Sequence, residues 1–116
     1  MGLGIYDRDG NEITTEQWSA MLAQKEPDMR RVAKAVLPDG RVVSTVWLGL
    51  DHRFGEGKPL IFETMVFGSE GDFASLDCER YETLSDAEYG HHGMVDKWLD
   101  APPASVGASG RKRRLR

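Results

Sequence analysis

The turn Pro38-Asp39-Gly40 constrains the fold more than any other part of this chain. It separates two runs rich in β-branched and apolar residues, 29–37 and 41–50. Asp-Gly between two such runs is a strong signal for a β-hairpin, because both residues tolerate the backbone conformations that tight turns require. The sequence therefore predicts an antiparallel strand pair at this point.

The register of this hairpin follows from the turn. If Pro38 lies opposite Arg41, then Val36 faces Val43 across the ladder. Apolar residues of the second run occur at both odd and even positions, so both of its faces are expected to be covered. This pattern predicts a central strand with a helix on at least one side.

Two further strands are predicted downstream. Residues 60–67, LIFETMVF, form an apolar run that ends in a glycine-containing turn. Residues 78–84 alternate polar and apolar side chains, and their charges are typical of an exposed edge strand.

A helix is predicted on each side of these strands. The first begins at Thr14 or Thr15, presents Trp18 and Leu22 on one face, and ends before Pro27. The second begins at a capping box over residues 85–88, with Leu84 and Tyr89 placed to form a hydrophobic staple. Its buried face is expected to carry Ala87, His91, Met94 or Val95, and Trp98.

These elements predict a small α+β domain over residues 1–100: a three- to four-stranded antiparallel meander with an N-terminal and a C-terminal helix packed on it. At 116 residues, one domain is the expected number. Residues 101–116 are rich in Pro, Gly and Ser and end in basic residues, so we expect a disordered basic tail.

The charge distribution is strongly asymmetric. Residues 111–116 carry five basic groups, whereas residues 1–110 carry 10 basic and 19 acidic groups. Because an acidic body repels phosphate, nucleic acid is expected to bind only through the tail. The basic groups that would make this contact are Arg111, Lys112, Arg113, Arg114 and Arg116. Three roles of the tail are equal alternatives: it grips nucleic acid or an acidic protein surface, it serves as a solubilising end, or it folds back on the acidic residues 70–88 of this chain.

Residues 51–59, DHRFGEGKP, form an unusually long connection between the second and third strands. A structural loop, a partner-binding loop and a small-anion site are the three interpretations. The spacing does not match a phosphate-binding P-loop, because GEGK lacks the required gap before its second Gly and the Ser or Thr after its Lys. The candidate contact residues are Asp51, His52, Arg53, Phe54, Glu56 and Lys58.

Catalytic and metal-binding signals are weak. Adjacent helical residues point about 100° apart, so His91 and His92 are poorly placed to share an ion. Glu63 lies within an apolar strand and is expected to form an ion pair, with Arg53, Arg31 or Lys34 as the candidate partners. Cys78 has acidic neighbours that weaken a thiol nucleophile. We therefore expect no catalytic residue, no metal and no cofactor.

The segment VSTVWLGLDHRFGEGKPLIFETMVF, residues 43–67, resembles a family of small, uncharacterised proteins encoded by actinobacteriophages and prophages. The similarity extends over roughly residues 4–99 and carries over no catalytic or binding residues. It implies a phage protein acting in the bacterial host cytoplasm, or else in the virion.

Three functions remain open at this point. The first is a non-enzymatic accessory protein that binds a host or phage macromolecule, with a host or phage protein as its partner. The second is a virion or assembly component whose tail touches packaged DNA. The third is a small metal-dependent hydrolase built on Asp51, His52, Glu63 and His91. No run of apolar residues approaches the length of a membrane span, so no membrane partner is expected.

The tail predicts a specific salt dependence of DNA binding. Five phosphate contacts give a slope of about −4 to −5 when the logarithm of the association constant is plotted against the logarithm of salt concentration. Fluorescence anisotropy with a labelled duplex measures this slope. Replacing the five basic residues with Gln should abolish binding; a slope near zero, or one unchanged by the replacement, would contradict the assignment.

Overall fold

The computed structural model describes residues 4–51 and 56–100. Four strands form one antiparallel sheet in the order β1-β2-β3-β4, which confirms the predicted α+β meander with its two flanking helices. The elements along the chain are α1 (Thr15–Ala23), β1 (Arg31–Val36), β2 (Val42–Trp47), β3 (Phe62–Phe67), β4 (Ser75–Tyr81) and α2 (Leu84–Asp100). The predicted tail, 101–116, lies outside the described residues.

The turn between β1 and β2 differs from the prediction by one residue. Leu37, rather than Pro38, lies opposite Arg41: the amide of Leu37 donates to the Arg41 carbonyl at 2.7 Å. The amide of Gly40 donates back to the Leu37 carbonyl, and Gly40 has a φ of +96°. Three-residue hairpin loops of this kind place Gly in the left-handed region. As a result Val43 pairs with Ala35, so the predicted register was wrong.

The N-terminal boundary of α1 agrees with the sequence prediction, but that of α2 does not. Thr14 caps α1: its hydroxyl accepts the Gln17 amide, and the Gln17 side chain accepts the Thr14 amide. In α2 the cap is Thr83, whose hydroxyl accepts the Asp86 amide at 3.0 Å, and not a residue of the predicted box at 85–88. Tyr89 is 85% exposed, so the expected hydrophobic staple does not form.

The sheet and α2 meet in three successive layers. Trp47 pairs with Phe62 across β2 and β3, and both pack in one core cluster with Ala87 of α2. At the other end Val43 pairs with Val66, and these pack with Met94. The predicted buried face of α2 is thus confirmed.

The middle layer is polar. Thr45 pairs with Thr64, their hydroxyl oxygens lie 2.6 Å apart, and the Thr45 hydroxyl lies 2.7 Å from Nδ1 of His91. The Tyr81 hydroxyl donates to Thr64 at 3.0 Å. Both threonines are fully buried. Because an unpaired buried polar group costs about 1–3 kcal/mol, the buried His91 ring favours the position of α2 in which its Nδ1 lies beside the Thr45 hydroxyl.

The C-terminal end of α2 is held from two sides. Arg41, which is buried, donates to the Trp98 carbonyl at 2.9 Å and lies over the Trp98 ring. A cation at the carboxyl end of a helix interacts favourably with the helix dipole. On the other side the Trp98 indole donates to Asp77 of β4 at 2.9 Å, and Lys97 pairs with the same carboxylate.

α1 packs at one end of the core. Trp18, Met21 and Leu22 contact the cluster that contains Trp47, and the Trp18 indole donates to the Leu48 carbonyl at 3.1 Å. Gly49, with a φ of +81°, lies against the Trp18 ring. A Cβ at this position would lie 2.5 Å from the indole nitrogen, so only glycine allows this contact.

His91 gives the fold a predictable response to pH. Burial, with a smaller contribution from His92, lowers the pKa of His91 below its ordinary value. The unfolded state therefore binds a proton first, and stability is lost as pH falls below about 6.5. Urea unfolding followed by tryptophan fluorescence at pH 7.5 and 5.5 should show this loss.

Substitution separates His91 from other titrating groups. His91→Asn should lower the free energy of unfolding by about 1–3 kcal/mol and remove the decrease between the two pH values. His92 is exposed, so His92→Asn should leave the free energy of unfolding at pH 7.5 unchanged and keep most of the decrease at pH 5.5, because His92 makes only the smaller contribution to the lowered pKa of His91. A wild-type pH dependence in His91→Asn would show that another group is responsible.

Candidate functional site

The 51–59 connection is closed at its base by Asp51. Its carboxylate accepts the Leu60 amide at 3.0 Å, and its own amide donates to the Gly4 carbonyl at 3.2 Å. Leu50 bridges Ile5 next to this point. The connection is therefore tied both to the start of the β3 segment and to the N-terminal segment.

The far end of the connection lines a cleft of about 350 Å³, which we call the loop cleft. Three segments that are distant in sequence meet there: an N-terminal turn, the end of the 51–59 connection, and the start of α2. Its lining residues are Tyr6, Arg8, Asp9, Gly10, Lys58, Pro59, Ile61, Glu82, Thr83, Leu84 and Ser85.

The N-terminal wall of the loop cleft is a preorganised turn. The Asp7 carboxylate accepts the amides of Asp9 and Asn11, both at 2.9 Å. Gly10 has a φ of +90°, and its amide donates to the Asp7 carbonyl. Turns of this kind are stabilised by Asx side chains that hydrogen-bond the backbone two residues on. The wall therefore does not need to be ordered by a ligand.

Charges of both signs surround an apolar centre in the loop cleft. Arg8 and Lys58 supply the positive charges, and Arg8 is anchored through a hydrogen bond to the Met29 carbonyl at 3.3 Å. Asp9 and Glu82 supply the negative charges. The apolar contribution comes from Tyr6, Pro59, Ile61 and Leu84. This arrangement suits a peptide segment or side chain with one apolar group flanked by polar ones.

Only part of this site is predictable from the sequence. Of the predicted contact residues, Lys58 lines the loop cleft, Glu56 is exposed beside it in the chain, and Asp51 has a structural role at the base. His52, Arg53 and Phe54 lie outside the described residues, as do the tail residues Arg111, Lys112, Arg113, Arg114 and Arg116. Tyr6, Arg8 and Asp9 were missed, although DRDGN at 7–11 is a recognisable turn sequence.

Glu63 and His91, two residues of the suggested hydrolase site, do not lie together. Glu63 pairs with Arg80 of β4, 3.0 Å away and directly opposite it in the sheet. The expected ion pair is thus present with Arg80 as the partner; neither Arg31 nor Lys34 forms it, and Arg53 lies outside the described residues. His91 lies on the other side of the sheet. Its Nδ1 contacts the Thr45 hydroxyl, which in turn contacts the hydroxyl of Thr64, the residue that follows Glu63 in β3. Because successive strand residues point to opposite faces, Glu63 and His91 lie on opposite sides of the sheet.

No metal-binding cluster is present in the part of the chain that the structure describes: no three His, Cys, Asp or Glu side chains there could hold an ion together. Within residues 4–51 and 56–100, neither helix is long and apolar enough to cross a membrane.

No protein-family model, no curated protein and no solved structure matches this chain.

The reactivity of the Cys78 thiol tests whether its surroundings favour or disfavour a nucleophilic thiolate. Burial raises the pKa of its thiol, and the Glu63 carboxylate, which accepts the thiol hydrogen bond at 3.4 Å, raises it further. Cys78 should therefore react with iodoacetamide at pH 7.5 more slowly than a free cysteine, because the thiolate is the reactive form.

Glu63→Gln should accelerate this reaction several-fold, because it removes the carboxylate and leaves the Arg80 cation beside the thiol. Glu79→Gln serves as the control, since Glu79 makes no hydrogen bond to Cys78. Alkylation of the wild type as fast as free cysteine would contradict the environment described for this thiol.

Proposed function

We propose that this chain is a phage-encoded accessory protein that works by binding a host or phage macromolecule and catalyses no reaction of its own. The observation that carries the proposal is the loop cleft: the end of the 51–59 connection forms one wall of a mixed-charge cleft with two preorganised neighbours. The phage origin rests on the sequence resemblance over residues 43–67.

The size and chemistry of the loop cleft support binding of a macromolecule. A volume of about 350 Å³ is at the lower end of ligand pockets, which measure about 300–1,000 Å³, and suffices for one or two side chains of a partner. Arg8 and Lys58 supply positive charge and Asp9 and Glu82 supply negative charge, so a partner would be selected by its charge pattern as well as by its apolar anchor.

The neighbouring exposed residues extend this surface. Glu56 and Lys58 are exposed next to the loop cleft, and the cleft itself exposes parts of Tyr6 and Leu84. A central apolar pocket with a charged rim is the usual organisation of a protein–protein contact. We therefore infer that a protein is the partner, and that the 51–59 connection contributes to its rim.

The test is capture of a partner by the purified full chain from host lysate, identified by mass spectrometry. Combined replacement of Arg53, Glu56 and Lys58 by Ala should reduce capture of that partner about tenfold, a loss typical of removing contacts worth 1–2 kcal/mol.

A matched control is available in the same chain. Arg31, Lys34 and Glu70 are exposed, line a different concavity from the loop cleft and carry the same set of charges. Their combined replacement by Ala should leave capture unchanged. Equal losses in the two variants, or no partner whose capture depends on the 51–59 connection, would refute the proposal.

A further inference from the structure

A second concavity lies between the edge strand β4 and α2, on the flank of α2 away from β2. We call it the β4–α2 groove, and its volume is about 740 Å³. Its lining residues are Leu60, Asp77, Cys78, Glu79, Arg80, Tyr81, Glu82, Asp86, Tyr89, Gly90, Gly93, Met94 and Lys97.

Two glycines on α2 make the groove possible. A Cβ on Gly90 would lie 2.3 Å from the Tyr81 ring, so this glycine is required for α2 to pack against β4. Close packing does not explain the glycine at position 93, because a Cβ there would meet nothing within 4 Å. Glycine weakens a helix interior, and at Gly93 no contact with the rest of the described chain requires it. Its absent side chain leaves the floor of the groove open.

The groove has an excess of negative charge. Its two cations are engaged: Arg80 pairs with Glu63, and Lys97 pairs with Asp77 at 2.7 Å. Glu79, Glu82 and Asp86 form no ion pair with any residue in 4–51 or 56–100. Three uncompensated carboxylates along one groove attract a cationic segment.

An aromatic ring on the rim adds to this preference. Tyr89 is 85% exposed and stands beside Gly90 at the edge of the groove. Tyrosine faces bind guanidinium and ammonium groups, and carboxylates bind arginine in a bidentate manner. The groove therefore fits an extended, arginine-rich segment.

The chain itself contains such a segment. Residues 111–116, RKRRLR, carry five basic groups and no acidic one. We propose that this segment binds the β4–α2 groove of its own chain, where Glu79, Glu82, Asp86 and Tyr89 receive its basic side chains.

The chain between the end of α2 and the basic segment 111–116 is long enough to allow this contact. α2 ends at Asp100, and Lys97 lines the groove near that end. Residues 101–110 can span up to about 33 Å when extended. The groove runs back along α2 from Lys97 to Asp86, which is about 16 Å of helix. Attachment to the same chain gives an effective concentration of about millimolar, so weak contacts suffice.

Paramagnetic broadening in the full chain tests the proposal. Leu115→Cys carries a nitroxide and keeps all five basic groups, with Cys78→Ser removing the native thiol. In 50 mM NaCl the amide signals of Glu79, Tyr89 and Gly93 should lose at least about half their intensity, and in 500 mM NaCl they should recover, because screening weakens exposed ion pairs.

Two variants separate the groove from general electrostatic attraction. Glu79→Gln with Asp86→Asn should abolish the broadening, whereas the exposed pair Glu12→Gln with Glu16→Gln should preserve it. Gly93→Leu leaves the charge unchanged but fills the floor of the groove, and it should reduce the broadening as well. Dispersed amide spectra establish that each variant is folded.

Mixing identifies which chain supplies the segment. When ¹⁵N-labelled chain without nitroxide is mixed with spin-labelled ¹⁴N chain, its groove signals should stay sharp if binding is within one chain. Broadening in this mixture would assign the contact to a second copy and overturn the proposal. Absence of broadening in the labelled chain, or broadening unaffected by the groove variants, would overturn it too.

Discussion

The hydrogen-bonded layer of Thr45, Thr64 and His91 is the constraint on which the rest of the structure depends. Apolar clusters on either side of it provide most of the burial energy, but apolar contacts are not directional and permit sliding. The buried His91 ring permits no such freedom, because a shift of α2 along the sheet would break the hydrogen bond between its Nδ1 and the Thr45 hydroxyl and leave that buried nitrogen without this partner. This layer therefore fixes the position of α2 along the strands.

Both concavities follow from that position. When His91 lies over the threonine pair, Gly90 lies against the Tyr81 ring. The side of α2 that carries Gly93 then faces β4, and the β4–α2 groove lies between them. The same placement brings Thr83 to Ser85 to the N-terminal turn and to Lys58, which completes the loop cleft. The buried core and the two exposed concavities are thus coupled through one helix, and both concavities are lined by charged residues.

Local sequence patterns predicted the helices and strands, but they did not predict the register of the strands or the pairing of side chains between them. The Thr14 cap, the buried stripe of α2 and the edge position of β4 agree with the structure, because each depends on residues within a few positions of one another. The β1–β2 register was wrong by one residue, since Asp-Gly fits both a two-residue and a three-residue turn, and burial of Ala35 beside Val43 decides between them. The ion pair of Glu63 was expected, but its partner Arg80 follows from strand register alone.

The sequence by itself determined the class of fold, the acidic body with its basic end, and the presence of a long connection at 51–59, because composition, periodicity and turn residues are local properties. Tertiary structure alone decided that the end of this connection would meet Tyr6, Arg8 and Glu82, which lie 24 to 52 positions away in the chain. It also decided that Gly90 would allow α2 to pack against Tyr81 and that Gly93 would leave space in the β4–α2 groove. A site formed by three distant segments exists only after the chain has folded, since no local pattern encodes which surfaces the packing of α2 brings together.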